Sequence, residues 1–416
     1  MSARAARLAL ALALTACSGG AATSTDTAAD TTATGTTTTS TTTATTAASE
    51  STTATTGTDT DTGGAIDYAA PGPHPVANDR FTLQSGDRPL RVEVWYPADP
   101  SAAAAAAAGA PLLDFVPDEP DRSAFADLLA NLSPAGTIGT RLQTRSAFAA
   151  APAPGGPWPL LVFSHCHECV RFSAFSVAEH LASHGFVVAA PDHAGNTLFD
   201  GLAGDHAALD DAFLQIRRAD LGAVLDALLG GAPEVPAALH GLVDPARVGA
   251  FGHSFGAATV GRLAQEDPRV LAAMPIAAPV ENLLFPGTMI TSIHTPLFFV
   301  LAEEDNSIKV IGNNLIASNF KAANPPVWLL RVRDAGHWNF SDICGLTEAF
   351  NAGCGEGLRQ AAPNDPFTYL DIDVARELAG AYALAFFDRH LRGNLAADTY
   401  LGAATPMEWV TVESRL

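Results

Sequence analysis

An α/β fold, in which a mostly parallel sheet carries helices on both faces, is predicted for this 416-residue chain by three observations. Continuous apolar runs lie at residues 160–163 and 186–190, as strands buried on both faces require, with a further apolar run at 248–251 and strand candidates at 270–276, 297–301 and 327–332. Segments of helical spacing lie between several of these runs, and strands alternating with helices close into parallel sheets. Everything after residue 64 reads as one domain, because an α/β domain with insertions accommodates this length.

The elements follow in order. Residues 81–83 and 90–96 alternate apolar and polar side chains, which predicts a pair of opening antiparallel strands with one exposed face, the second ended by Pro97. An alanine run over 102–108 lies in a variable stretch, 98–156, which holds a predicted helix near 123–132 and is a candidate lid. Residues 176–184 suit a helix between the first two apolar runs. Phe213, Ile216, Leu221, Val224, Leu225 and Leu228 recur at helical spacing over 209–229, and glycines 230 and 231 stop that helix. Residues 374–392 predict a closing amphipathic helix.

Residues 1–17 have the shape of an export signal: Arg4 and Arg7, an apolar run over 8–14, then Leu14-Thr15-Ala16-Cys17. Cys17 resembles the lipidated cysteine of bacterial lipoproteins, which implies an exported chain anchored to the cell envelope or cell surface; an ordinary signal cut near Ala16 is the alternative. In a Gram-negative host Ser18 is compatible with outer-membrane sorting. Residues 18–64 are rich in threonine and hold no aromatic residue, so they predict a disordered tether with a span of roughly 40 Å if it behaves as a flexible coil. The catalytic domain is expected over 65–416.

The formal charge of −21 and the absence of any Lys/Arg cluster argue against nucleic acid as a partner. Cys166, Cys169, Cys344 and Cys354 form an even set in an exported chain, which favours disulfides and leaves three pairings. No apolar run reaches the roughly 20 residues of a membrane span, so lipid is the only anchor implied.

The chemistry concentrates at Gly252-His253-Ser254-Phe255-Gly256, which follows the apolar run ending at Phe251 and precedes a helical pattern. A serine hydroxyl is a weak nucleophile at its ordinary pKa. It needs a histidine base, an acid to orient that base, and a sharp turn that glycines permit. With Val94-Trp95-Tyr96-Pro97, Leu161-Val162-Phe163-Ser164-His165, Ala190-Pro191-Asp192-His193-Ala194-Gly195-Asn196-Thr197 and Gly336-His337-Trp338-Asn339-Phe340-Ser341-Asp342, this pentapeptide gives the chain a resemblance to the α/β-hydrolase superfamily. More narrowly, it resembles platelet-activating-factor acetylhydrolase-like and dienelactone-hydrolase-like bacterial lipoprotein esterases, over roughly residues 81–393.

The resemblance implies an α/β-hydrolase fold, a mechanism without cofactor or metal, and the chain order Ser254, Asp305, His337 for nucleophile, acid and base. Asp305 follows the strand predicted over 297–301; Glu303 and Glu304 compete with it, read otherwise as solvated loop charges, while Asp334 and Asp342 read as structural. His337 between Gly336 and Trp338 is favoured as base over His165, His184, His193 and His253. The oxyanion donors implied are the backbone N–H groups of Phe255 and His167, with Cys166 standing where the family usually has glycine. His165-Cys166-His167-Glu168-Cys169 is also the densest run of potential metal ligands, and a four-sulfur zinc site with Cys344 and Cys354 is the alternative to the simplest disulfides, Cys166 with Cys169 and Cys344 with Cys354.

The function implied is a serine carboxylic-ester hydrolase, expected to be monomeric, that passes through an acyl-enzyme on short-chain acyl esters. Acetylated or oxidised phospholipids are among its candidate substrates. A polyester or cutinase-like hydrolase shares the triad order, peptidase activity is a weaker third reading, and a non-catalytic surface lipoprotein on the same scaffold is the alternative from another class.

Overall fold

The computed structural model describes residues 66–132, 143–363, 365–402 and 409–416. The predicted signal, the tether and residue 65 lie outside them, as does part of the candidate lid. Among the described residues twelve strands form: β1 (Val76–Ser85), β2 (Arg88–Pro97), β3 (Ser146–Phe148), β4 (Trp158–Ser164), β5 (Val187–Pro191), β6 (Val243–His253), β7 (Val270–Ile276), β8 (Leu297–Ala302), β9 (Val327–Val332), β10 (Glu356–Leu358), β11 (Pro366–Thr368) and β12 (Val410–Arg415). Ten of them make one sheet in the order β12-β9-β8-β7-β6-β4-β5-β2-β1-β3, while β10 and β11 pair separately. From β5 through β4 to β9 every neighbouring pair is parallel; β2 meets β5 antiparallel, and β12 closes antiparallel on β9. The mostly parallel sheet expected from the apolar runs is therefore present.

The helices are α1 (Ala103–Ala108), α2 (Asp121–Ala130), α3 (Phe175–Ser183), α4 (Leu198–Ala203), α5 (Asp211–Gly230), α6 (Phe255–Glu266), α7 (Lys309–Ala322), α8 (Ile372–Leu391) and α9 (Ala397–Gly402). Apolar side chains of α3 and α8 share one core with Trp95, Phe251 and Phe298, whereas those of α5, α6 and α7 share another with Val94, Ala250 and Phe299. Adjacent strand residues thus point to opposite cores, as the period of two requires. Among the described residues no helix is long and apolar enough to cross a membrane.

Three expectations are corrected. β2 does not have an exposed face: all its residues from Val92 to Pro97 are buried. The polar Glu93 faces inward because Arg171 and Phe115 cover it, with Arg171 Nε donating to its carboxylate at 2.9 Å and Arg171 Nη1 donating to Asp192 at 2.8 Å. Phe115 stacks on Phe172 with ring centroids 4.7 Å apart, so part of the 98–156 stretch seals this side of the sheet. On α5 the buried face includes Arg217 and Asp220, while Ile216 is exposed, because a polar network under the helix takes the place of an apolar one. α8 is not amphipathic, since every residue from 378 to 388 is buried, and it does not close the chain, which continues through α9 to β12. α1, α4, α7, α9, β3, β10, β11 and β12 escaped the sequence reading.

Burial pushes the Glu93 carboxyl up, against the pull of Arg171 and Arg80. Breaking such a pair leaves an uncompensated charge in a dry interior. Arg171→Met is expected to lower the unfolding free energy by about 3–5 kcal/mol, read from urea denaturation with unchanged slope. A loss under about 1 kcal/mol would show that β2 does not depend on this pair.

Candidate active site

β6 ends at His253 and α6 begins at Phe255, so a single residue, Ser254, must turn a strand into a helix. It does so with φ 58° and ψ −116°, a left-handed conformation that an L-residue holds only when its surroundings impose it. Two restraints are visible. Ser254 N–H donates to the Ile276 carbonyl of β7 at 2.9 Å, and Ala257 N–H donates to the Ser254 carbonyl at 2.9 Å. The flanking glycines allow the contact: a Cβ on Gly252 would lie 2.3 Å from the Gly256 carbonyl oxygen, and one on Gly256 only 1.8 Å from the Ser164 carbonyl oxygen at the end of β4. The pentapeptide is thus a packing requirement between adjacent parallel strands, and its outcome is a serine lifted to the sheet's carboxyl edge, partly exposed.

Asp305 and His337 come together from the neighbouring strands. Asp305 follows β8 and is fully buried; one carboxylate oxygen accepts from the N–H groups of Ser307 and Ile308, both at 3.0 Å. The other carboxylate oxygen is 2.7 Å from His337 Nδ1, so Nδ1 carries the proton that it donates, and Nε2 is left to act as a base. His337 sits on the loop after β9, itself tied down: Gly336 N–H donates to Asn339 Oδ1 at 2.7 Å, Trp338 N–H to the Ala352 carbonyl at 2.8 Å, and His253 Nε2 to the His337 carbonyl at 2.8 Å. Cys344 and Cys354 form a disulfide that closes this loop. His253, adjacent to Ser254, points away from it and clamps the loop of His337, a role for which its place in the sequence carries no signal.

The competing carboxylates are engaged elsewhere. Glu304 accepts from Arg359 at 2.9 Å and from Gln360 N–H at 2.7 Å, which corrects its reading as a solvated charge; Glu303 is exposed. Asp334 pairs with Arg359 at 2.7 Å, and Asp342 accepts from Ser176 and pairs with Arg376 at 3.1 Å, both structural as expected.

The loop after β4 carries the second feature. Cys166 and Cys169 form a disulfide across it, the pairing expected, so that covalent restraint stands where glycine would otherwise give freedom. Among the described residues the backbone N–H groups of His167 and Phe255 donate to no protein acceptor. The two residues adjoin, their rings meeting edge to face with centroids 6.2 Å apart. Phe255 N–H belongs to the first turn of α6, where helix geometry leaves donors unsatisfied.

His167, Glu168 and His206 bring one potential ligand atom each to within 4.8 Å of one another. The hydrogen bonding works against a metal there. Arg217 donates to Asn196 Oδ1 at 2.7 Å, which fixes the amide so that Asn196 Nδ2 donates to His167 Nδ1 at 2.7 Å. His167 Nε2 then holds the ring's proton, facing Glu168 at 3.6 Å, and offers no lone pair. The four sulfurs once considered for zinc are spent in the two disulfides.

A buried polar layer lies beneath the loop. Ser164 Oγ is 2.9 Å from His193 Nε2, and His193 Nδ1 is 3.0 Å from Asp220, all three enclosed. His165 and His193 are satisfied core residues, as expected, with His193 N–H donating to His165 Nε2 at 3.0 Å. Burial holds the imidazoles of His165, His193 and His253 well below the ordinary 6.5, and burial with the nearby Arg217 lowers His167 to about 4.

The model for the dienelactone hydrolase family matches residues 146–342, and that for platelet-activating factor acetylhydrolase, isoform II, matches residues 66–199. Platelet-activating factor acetylhydrolase of Canis lupus familiaris is 26% identical over 277 residues, 57% of this chain and 58% of that protein. The Cavia porcellus protein is 25% identical over 315 residues, 65% of this chain and 68% of its own, and the Bos taurus protein 25% over 287, 60% and 61%. The chain thus spans about three fifths of the dog and cattle relatives it matches. A ferulic acid esterase from Streptomyces cinnamoneus superposes with a TM-score of 0.58 at 24% identity, covering 79% of this chain and 93% of that one, a likeness of fold.

The lowered imidazoles set a sign for pH dependence. Between 6.5 and their folded values the unfolded chain binds protons that the folded chain refuses, so their contribution to stability is lost as pH falls through the unfolded value. Glu93 and Asp220, raised by burial, act in the opposite sense at lower pH. In NMR titrations the rings of His165, His193 and His253 are expected to stay neutral as pH falls through 6.5 while the fold persists. A buried ring that protonates near 6.5 in the folded protein would contradict the enclosed layer.

Proposed function

We propose that this chain, an α/β-hydrolase of the platelet-activating-factor acetylhydrolase and dienelactone hydrolase kind, is a serine carboxylic-ester hydrolase acting through an acyl-enzyme. The reading is carried by one juxtaposition: Ser254 held at φ 58° on the strand-to-helix turn, with the buried Asp305–His337 pair at 2.7 Å supplied from the next strands along the same sheet edge. Ser254 Oγ attacks the ester carbonyl carbon while His337 Nε2 takes its proton, and Asp305 stabilises the imidazolium that forms. The oxygen's new charge is received by the N–H groups of Phe255 and His167. Collapse breaks the bond to the alcohol, which leaves with the proton from His337; water then repeats the steps and releases the acid.

Short acyl chains are the substrate class favoured, with acetylated or oxidised phospholipids the candidates drawn from the likeness to the acetylhydrolases. With nitrophenyl esters of about two to twelve acyl carbons, the unmodified protein is expected to prefer the short end. Ser254→Ala is expected to lose at least about 10⁴-fold in kcat. Equal activity in the two proteins would sink the serine mechanism, and an optimum at long chains would move the substrate class to lipase-like esters.

The chain is further proposed to be exported and lipid-anchored through Cys17, which the basic and apolar pattern of residues 1–17 supports and which an oxidising compartment with two disulfides fits. Mass spectrometry of the mature N-terminus checks this: diacylglyceryl on Cys17 is expected, and an unmodified terminus at that cysteine refutes it.

A further inference from the structure

Arg217 is a cation with no carboxylate within 4 Å among the described residues, yet it is fully buried in the middle of α5. Its nearest acid, Asp220, is taken by Arg88 and His193. Enclosing a guanidinium without an ion-pair partner is costly, and replacement by apolar groups is often neutral or stabilising. Four of its five donors here serve three separate segments. Nε donates to Thr259 Oγ1 at 3.2 Å on α6, and Nη1 donates to Asn196 Oδ1 at 2.7 Å in the loop after β5. Nη2 donates to Ser164 Oγ at 3.1 Å and to the His165 carbonyl in the loop after β4. The guanidinium carbon also lies 4.4 Å from the Phe255 ring centroid.

Each of these contacts ends on one side of the proposed oxyanion hole. Thr259 Oγ1 donates to the Phe255 carbonyl at 2.9 Å, so Nε and the ring contact both address the Phe255 side. The His165 carbonyl lies two residues before His167 in the loop that carries its N–H, and Asn196, oriented by Nη1, grips the His167 ring at 2.7 Å. The two donors belong to chain segments far apart in sequence, and this one planar group touches both.

We propose that Arg217 is a positioning residue that holds the Phe255 and His167 N–H groups in a single geometry, so that they act together on the developing oxyanion. The inference rests on the serine-hydrolase reading. Burial lowers the guanidinium to about 9, with Asp220 acting against this, so the group remains charged at neutral pH. A lysine cannot substitute for it: an ammonium keeps the charge but lacks the flat fork that spans four acceptors on three segments.

The test compares the full chain, Arg217→Lys and Ser254→Ala on 4-nitrophenyl acetate, with an arylboronic acid as a mimic of the charged tetrahedral adduct. Arg217→Lys is expected to lose about 10- to 100-fold in kcat, with KM changed less than about 3-fold and boronate affinity falling in parallel with kcat. A purely structural role would instead lower the folded fraction and leave kcat per folded site and boronate affinity unchanged; that outcome overturns the proposal. Should Arg217→Lys fail to fold, Thr259→Val and Asn196→Ala each remove one of its acceptors and are expected to lower kcat with KM held; two neutral variants would overturn it equally. Ser254→Ala separates the readings, because full activity in that variant removes the serine mechanism whatever Arg217 does, while its inactivity beside an unimpaired Arg217→Lys removes only the positioning role.

Discussion

The approach of α6 to the end of β4 is the constraint from which the rest of the site follows. Gly256 packs so closely on the Ser164 carbonyl that even a methyl group would overlap it. That contact sets how soon the chain must leave β6 and begin α6, and the interval leaves room for one residue. Ser254 therefore takes the left-handed conformation as the geometric remainder of two packed elements, stabilised by its hydrogen bond to β7. Because the same contact brings the start of α6 against the loop after β4, it also sets Phe255 beside His167. The placement of Ser254 and of both candidate donors thus follows from a single close packing, with Arg217 bonded beneath the loop after β4.

A second level of order appears in how loops are fixed at the sheet's carboxyl edge. Short loops carrying chemistry fluctuate unless their backbone groups are occupied, and each loop here is tied by a different means. The loop after β4 has a three-residue disulfide span and the Arg217 donors beneath it. The loop after β8 is folded back by the Asp305 carboxylate onto Ser307 and Ile308, which aligns that carboxylate for His337. The loop after β9 has His253 from the nucleophile strand, Asn339 reaching Gly336 and Leu370, and the Cys344–Cys354 bridge. Cross-links suit a chain whose site is assembled from four strand ends, since they narrow the unfolded ensemble and pin loops whose cysteines are themselves packed in the core.

What could be read in the sequence divides along the range of the interactions. Strands β4 to β9 were legible because burial on both faces leaves largely apolar runs, and the candidates Ser254, Asp305 and His337 could be named because each is tied to a strand end or a glycine turn. Glu93 misled because alternation with Arg91 looks like a wet face; the Arg171 that dries it lies 78 positions away. α7 passed unseen because few of its residues are buried and Val310, Ile311 and Leu315 are exposed, blurring the apolar stripe. α8 was read as amphipathic because it holds Arg376, Glu377 and Asp388, two of which turn out to be buried. β12 has only a half-buried alternating pattern at the sheet's edge, where pairing with β9 determines it rather than its own sequence.

Arg217 shows why such sites are only partly legible. On its helix it falls four residues after Phe213 and four before Leu221, so periodicity sets on the apolar face a charge that residue type alone assigns to solvent; the residues that it bonds come from β4, the loop after β5 and α6. Sequence spacing reports interactions a few residues apart, whereas this group has value only after three distant segments have converged. The buried layer of Ser164, His193 and Asp220 makes the same point in reverse. It has the residue types of a serine, a histidine and an acid in hydrogen-bonding sequence, yet it is wholly enclosed, with Arg88 on the acid and Arg217 on the serine. Access and the strained turn distinguish Ser254 from Ser164. A catalytic constellation is therefore recognised by where its oxygen emerges and what receives the charge, and both depend on packing that no single segment encodes.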